Sequence, residues 1–494
     1  MADSSLQTLI DGVLALDPDA PAVEFEGVWI NWGVLAAGKA VIAALVDAAG
    51  LGEGARVGIL LRNRPEFIGP VLDVVARHRC LVTLNPYLPD SVLAADLASV
   101  EAPVLILNDT DWDRPAVRDA AVASAARCIV VSLDGARVAA GGDSRRWTRT
   151  NAPAIGVEML TSGTTGAPKR IPLPMNNFHS RVLGYNSNYE RPGAGGPALR
   201  SGVQILNTPF SHIGGLGRLL MAVTGGRKMV LLEKFKLDSF LEALRTYRPR
   251  VTSGPPTVVK MILDADTPRE DLASLAAFRT GSAPLDPALA QAFFDRYGIP
   301  VLQNYGATEF GGGVAGWSMD DFRQFGAVKQ GAVGRIEKGF EARIVDAESG
   351  ETLAPGGEGL LELRNDDVND GQWVRTTDLA VLDEDQFLWI KGRADMAIIR
   401  GGFKILPDTI IAALEKHPAV REATAFAVAE ARLGQVPAAL VSLKDGAAAD
   451  EQALLDHLRE QLLPYQIPTE LRIVEALPRT VSMKVDLQRA KAMI

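Results

Sequence analysis

Cysteine is almost missing from this chain: two in 494 residues, Cys80 and Cys128. One disulfide is arithmetically open to them, but a chain of this length needs no disulfide framework, and two buried free thiols suit a reducing cytosol. Long apolar runs are missing as well. No stretch of about 18 apolar residues occurs, so no membrane span is expected. The start, Met1-Ala2-Asp3-Ser4-Ser5, lacks a basic region followed by an apolar one, so no signal peptide is expected and the location read from the sequence is cytoplasmic. Positive charge is in deficit: 51 Lys and Arg against 60 Asp and Glu leave a formal net charge of -9. That argues against a nucleic-acid partner, whose binders concentrate Lys and Arg on one face. Internal repeats and low-complexity tracts are absent too.

What is present is ordinary globular material, 47% hydrophobic and 22% charged. Its length exceeds a typical domain of about 100–150 residues, which predicts a multi-lobed body. Buried strands are expected over 57–61, 81–84, 103–107 and 129–131, with a helix over 65–77. This alternation argues for a parallel sheet with helices on its faces. Residues 141–153 read as a polar loop and 193–202 as a Gly/Pro-rich surface loop. The alternation resumes through Val301. After about Gly331 short strands dominate, at 341–345, 359–363, 379–382 and 387–391, separated by turns such as Pro355-Gly356-Gly357-Glu358-Gly359. From Met396 a final α+β unit holds a helix near 408–416, ended by His417-Pro418, and strands at 423–428 and 438–443.

The strongest local signal is Leu160-Thr161-Ser162-Gly163-Thr164-Thr165-Gly166-Ala167-Pro168-Lys169. Two glycines let backbone N–H groups converge on an anion. The hydroxyls add hydrogen bonds and Lys169 adds charge, so the segment suits a triphosphate. A Ser/Thr/Gly cluster by itself is also the makeup of a surface turn. It is not a Walker A loop, which needs four residues between the glycines and a Lys-Ser or Lys-Thr pair.

At these residues the chain resembles the adenylate-forming superfamily of acyl-CoA synthetases, adenylation domains and luciferases. The resemblance keeps the family's motif order along essentially the whole chain. Asn207-Thr208-Pro209-Phe210-Ser211-His212-Ile213-Gly214-Gly215 follows the phosphate loop, and the resemblance puts His212 at the border of the acyl pocket. Gly281-Ser282-Ala283-Pro284-Leu285 matches a turn that packs on adenine, although a strand-to-helix turn explains the same residues. In Gln303-Asn304-Tyr305-Gly306-Ala307-Thr308-Glu309, the resemblance implies that Tyr305 stacks on adenine, Thr308 bonds the α-phosphate and Glu309 holds Mg²⁺, with Asn304 and Gly306 beside the nucleotide and Thr161 a second metal contact. Asp378, in Trp373-Val374-Arg375-Thr376-Thr377-Asp378, would accept from both ribose hydroxyls. Gly392-Arg393-Ala394-Asp395 would be the hinge, with Arg393 near the ribose and Asp395 as pivot. Gly401 and Gly402 would line the pantetheine tunnel, and Lys484 would be the adenylation lysine.

The fold so implied is α/β. A large N-terminal domain, residues 1–394, has two parallel-type αβ subdomains plus a β-rich subdomain. A small mobile α+β C-terminal domain, residues 395–494, carries Lys484 and the thiol-tunnel loop. The implied activity is acyl-CoA ligation using ATP, Mg²⁺, CoA and a small-molecule carboxylic acid. A stand-alone enzyme loading a carrier-protein phosphopantetheine, a thiol-transfer specialist fed an acyl-adenylate, and a non-catalytic nucleotide-binding relative stay open. The small residues Gly312 and Gly313, together with Gly306, mark room in the acyl pocket. They favour a bulky cyclic, aromatic or medium-chain acid over acetate, though Gly-rich loops can equally be only flexible. For assembly, a homodimer is the default for a soluble enzyme. Three positions depart from the family pattern, each occupied where glycine is usual: Arg170, Thr377 and Met483. A β-branched Thr377 would be strained if its backbone needed positive φ, and Met483 would stiffen or re-aim the Lys484 loop.

Overall fold

A computed structural model describes residues 6–142, 152–161, 169–189, 196–400, 403–430, 432–480 and 483–494. The polar loop expected at 141–153 falls mostly outside them.

Three fully buried strands, Arg56–Leu60, Cys80–Leu84 and Val104–Asn108, form the centre of a seven-stranded sheet. They pair in parallel, as the alternation with helices predicts. Helices cover both faces, so the strands carry apolar residues on both sides. Val104 and Ile106 enter one core, while Leu105 and Leu107 enter the other. Antiparallel strands close the two ends: Gly135–Ala140 beside Arg127–Ser132, and Lys169–Pro174 beside Ile155–Thr161. Both cysteines are free and buried here. Arg170, one of the departures from the family pattern, ties the outer strand inward. Its guanidinium pairs with Asp96 at 2.7 Å and donates to the Thr83 carbonyl at 3.0 Å.

The sheets do not follow chain order. The hairpin Pro21–Phe25 and Val28–Asn31 leaves the first block and joins Arg227–Leu231 and Arg200–Leu206 in a four-stranded sheet. The loop expected over 193–202 therefore ends early, because Arg200 already pairs with Arg227. The parallel strands Val251–Ser253, Ala277–Thr280 and Val301–Ala307 continue without a break into Gly312–Gly316, Gly334–Ile336, Phe387–Arg393, Val374–Leu382, Glu358–Arg364 and Glu341–Val345. The β-rich region is thus the antiparallel end of a nine-stranded sheet. Residues 398–473 build a five-stranded unit of their own around Gly434–Leu443 and Val420–Glu430, with a separate core that includes Ile405, Leu414, Val441 and Leu458.

The run Arg62-Asn63-Arg64 stitches the first two αβ blocks together. Asn63 is buried, donates to the carbonyls of Thr208 (2.9 Å) and Leu232 (3.3 Å), and accepts from the Phe210 N–H at 2.8 Å. Beside it, Arg62 grips the fully buried Asp111 through two bonds of 2.7 and 2.8 Å. The segment leading to His212 is therefore held by the block before it. No helix among the described residues is long and apolar enough to cross a membrane.

Candidate active site

Parallel strands converge their carboxyl ends on one cleft, the usual place for a ligand in an open α/β sheet. Val251–Ser253 ends at Ser253, Ala277–Thr280 runs into Gly281, and Val301–Ala307 delivers Asn304, Tyr305 and Gly306. A Cβ at Gly281 would collide with Asn304 Oδ1. Only glycine lets this turn lie against the next strand, and Ser282 then takes a left-handed φ of 70°. Ala283 and Pro284 continue the turn.

Tyr305 and Asp378 meet across the cleft, the Tyr305 hydroxyl donating to Asp378 Oδ2. Burial raises the Asp378 pKa, while the Tyr305 hydrogen bond and the Arg393 charge oppose that rise. Burial and the Asp378 charge push the Tyr305 phenol upward. Arg393 lies in the strand paired with Asp378 and donates to Thr377 Oγ1 at 2.9 and 3.2 Å and to Asp395 at 2.6 and 2.9 Å. Thr377 sits inside the strand Val374–Leu382 and is not among the positive-φ residues. A β-branched residue suits a strand, so the conditional strain expected there does not arise.

Thr308 and Glu309 open a short 3₁₀ turn, Thr308–Phe310, and Glu309 is exposed to the cleft. No cluster of three or more His, Cys, Asp or Glu suited to a metal occurs among the described residues. A single carboxylate still fits Mg²⁺ carried on phosphates and water. Gly306 pairs with Gly313, and a Cβ on Gly306 would strike the Gly312 carbonyl, so strand packing by itself demands that glycine. Among the described residues nothing lies within 4 Å of a Cβ built on Gly312, whereas one on Gly313 would face Glu337 Oε1 at 3.2 Å.

Lys484 reaches this cleft from the far end of the chain. The tip that carries it is closed by Thr480 N–H to the Lys484 carbonyl (2.8 Å) and Met483 N–H to the Thr480 carbonyl (3.0 Å). Arg479 braces it, donating to the Met483 carbonyl at 2.7 Å and, across the cleft, to Thr257 Oγ1 at 3.3 Å. Lys484 keeps solvent contact, yet protein surrounds it. That enclosure lowers its pKa and the nearby Arg393 charge adds to the shift. His212 precedes the helix Ile213–Thr224; burial lowers its pKa to about 4, with the Lys484 charge contributing.

Thr161 and Lys169 pair their backbones at the base of the phosphate loop. Ser162, Gly163, Thr164, Thr165 and Gly166 lie outside the described residues, as do the side chains of Thr161 and Lys169 and the tunnel residues Gly401 and Gly402.

A model of the AMP-binding enzyme family matches residues 12–373, and a second, for the C-terminal domain of AMP-binding enzymes, matches residues 411–484. The chain belongs to the AMP-binding enzyme family.

This AMP-binding enzyme is 28% identical to 4-coumarate–CoA ligase-like 9 of Arabidopsis thaliana over 66% of its own length, and it spans 60% of that relative. It is 27% identical to a 2-succinylbenzoate–CoA ligase of Bacillus cereus, with 95% of each chain covered. The ATP-bound structure of MatB from Rhodopseudomonas palustris superposes with a TM-score of 0.82 at 26% identity, covering 99% of this chain and 98% of the other. The Bacillus cereus relative, matched along nearly the whole chain, is a ligase by name, and the large and small domains expected from sequence are those of this family's fold.

Sequence reasoning missed several side chains of the AMP-binding enzyme's cleft. Arg218 donates to Ser253 Oγ, and Asn207 Nδ2 donates to the Ser253 carbonyl at 3.0 Å. The only sequence signal was Arg218 standing on one helix face with Gly214 and Gly217. For His212, an NMR pH titration of the chain's five imidazoles is expected to find it neutral at pH 6 and inflecting near about 4. An inflection above 6 would mean that the ring is not enclosed as described.

Proposed function

We propose that this AMP-binding enzyme joins a carboxylic acid to CoA in two steps, first forming an acyl-adenylate from ATP and then passing the acyl group to the CoA thiol. The observation that carries this reading is that Tyr305 meets Asp378, with Arg393 on the paired strand, while the tip that carries Lys484 is tied to Thr257 of the large domain through Arg479. These groups are contributed by segments scattered from residue 257 to residue 484.

A carboxylate is a poor acyl donor because oxide would have to leave. Attack of its oxygen on the α-phosphorus of ATP forms a new P–O bond and releases pyrophosphate. Negative charge gathers on the transferring phosphoryl oxygens, and preplaced cations and N–H donors stabilise it. Lys484 supplies a fixed ammonium, and Thr308 a hydroxyl toward the α-phosphate. Tyr305 offers a ring face to adenine, and Asp378, already raised in pKa by burial, is set to accept from the ribose hydroxyls. Glu309 would hold Mg²⁺, which neutralises phosphate charge when bound. In the second step the thiol sulfur attacks the acyl carbon and AMP leaves. The thiol must enter where Lys484 stands, so residues 395–494 swing on Asp395 against residues 1–394. The Arg393–Asp395 bond of 2.6 Å must rearrange in that swing.

Met483 takes a φ of 64°, a region costly for a side chain with a Cβ. Met483→Gly removes about 1–2 kcal/mol of local strain and is expected to leave adenylation equal or faster, measured as the rate of acid-dependent pyrophosphate release. A clear drop would make the methionine side chain a contributor rather than a handicap.

The decisive experiment is pyrophosphate release from ATP and Mg²⁺ across short, medium, aromatic and polycyclic acids, with and without CoA. Pyrophosphate with one class of acid, and acyl-CoA only when CoA is supplied, is the expected result. Silence with every acid, combined with turnover of synthetic acyl-adenylates, would replace this reading by a thiol-transfer specialist.

A further inference from the structure

The tip that carries Lys484 is a small antiparallel loop closed at its base. Arg479 bridges to Val485, the Thr480 N–H donates to the Lys484 carbonyl at 2.8 Å, and the Asp486 N–H donates to the Pro478 carbonyl, also at 2.8 Å. Leu477, just before that base, is buried in one cluster with Phe426, Ala438, Leu440 and Ala490. The base of the tip is therefore seated in residues 395–494 and moves with them.

Arg479 faces three ways from this base. Toward its own unit it pairs with Glu422, which lies opposite Ser442 on the neighbouring strand and also accepts from the Ser442 hydroxyl at 3.4 Å. Toward the tip it donates to the Met483 carbonyl at 2.7 Å, one residue before Lys484. Toward the large domain it donates to Thr257 Oγ1 at 3.3 Å. Thr257 is the second residue of the helix Pro256–Asp264, which is fixed in the large domain's core through Val258, Val259 and Ile262. One guanidinium thus joins the fold of the tip to the position of the large domain, a task suited to arginine's planar fork of donors.

The bonds to Glu422 and Met483 lie within the small unit and survive a rigid swing of it. The bond to Thr257 spans the two domains and is lost when they part. A contact made in one arrangement and absent from the other biases the equilibrium between them by its whole net worth. We propose that Arg479 is a positioning residue that couples the placement of Lys484 to domain orientation, its bond to Thr257 acting as a latch that favours the first half-reaction over the second. This rests on the two-step ligase reading.

Separate measurement of the half-reactions tests the latch. Thr257→Val keeps the side chain's shape and removes its oxygen. It is expected to slow acid-dependent pyrophosphate release by about fivefold, the worth of one such hydrogen bond, while acyl-CoA formation from a supplied acyl-adenylate stays level or rises. Thr257→Ser should behave as the wild type. Arg479→Lys keeps the charge beside Glu422 but cannot span three acceptors. It should match Thr257→Val, and the double variant should lose no more than either single one. Equal losses in both half-reactions, or losses that multiply in the double variant, would overturn the proposal.

Pulsed EPR on the full chain reads the orientation itself. Spin labels go on Asp320→Cys in the large domain and Asp445→Cys in the small unit, both exposed positions, since the native Cys80 and Cys128 are buried. The wild type is expected to populate the separation of this arrangement, and Thr257→Val to cut its ratio to other separations by about fivefold. An unchanged ratio, or no wild-type population at that separation, refutes the latch. If no acid gives pyrophosphate, the ligase reading fails on its own, and this ratio still decides the role of Arg479.

Discussion

Lys484→Ala is expected to slow adenylate formation by about 10²–10³-fold, the usual cost of removing one preplaced charge or donor from a transition state, while CoA transfer from a supplied acyl-adenylate stays near the wild-type rate. The asymmetry follows from the geometry. The tip that carries Lys484 is braced against the large domain by Arg479 on Thr257. On the proposed two-step reading a thiol would enter that tip's volume, and the lysine would be withdrawn before the second step. Single-turnover measurements separate the two: pyrophosphate release for the first, acyl-CoA formation from a synthetic adenylate for the second. Equal losses in both would remove Lys484 from its assigned role and make the tip a structural plug.

The second large effect is on stability. Asp111→Ala should cost about 3–5 kcal/mol, because it leaves a buried guanidinium without its carboxylate. Asp111 is fully buried, takes two bonds from Arg62 and a third from Arg114 at 2.9 Å, and its own N–H is capped by Asn108 at 3.2 Å. Arg62 also reaches Glu233 at 3.4 Å, which is too long and too exposed to replace the lost partner. The damage should spread to the next residue, since Asn63 holds the backbone from Thr208 to Phe210 that leads into His212. Urea denaturation measures the loss. Replacing both Arg62 and Asp111 with leucine should recover much of it, since apolar packing often substitutes for a buried pair at little cost. A single variant as stable as wild type would show that water reaches this site.

The candidate site could be proposed from the sequence because its signals are local, although residues 162–168 of its phosphate loop lie outside the described residues. The phosphate-loop decapeptide, Asn304-Tyr305-Gly306 with Thr308-Glu309, and the segment around Asp378 are short stretches whose residue types carry their chemistry at fixed spacing. Burial of successive residues in Val104–Asn108 likewise follows from an uninterrupted apolar run. Thr377 shows the opposite limit. Its departure from the family pattern pointed to strain, but strain depends on φ, and in the strand Val374–Leu382 the threonine is at ease and serves as a hydrogen-bond acceptor for Arg393. Met483 looked similar in sequence and does take the left-handed conformation.

By itself the sequence determined the alternation of strands and helices, the order of the nucleotide motifs and the α/β class, since periodicity and motif spacing are properties of neighbouring residues. Tertiary structure decided which strands share a sheet, carrying the hairpin at 21–31 to Arg227–Leu231 and fusing the β-rich region with the parallel strands. It also decided that Arg218 meets Ser253 and that the tip carrying Lys484 is tied to Thr257 through Arg479. Such contacts depend on how distant surfaces pack, and a long-range pairing leaves no periodic trace in the chain that makes it.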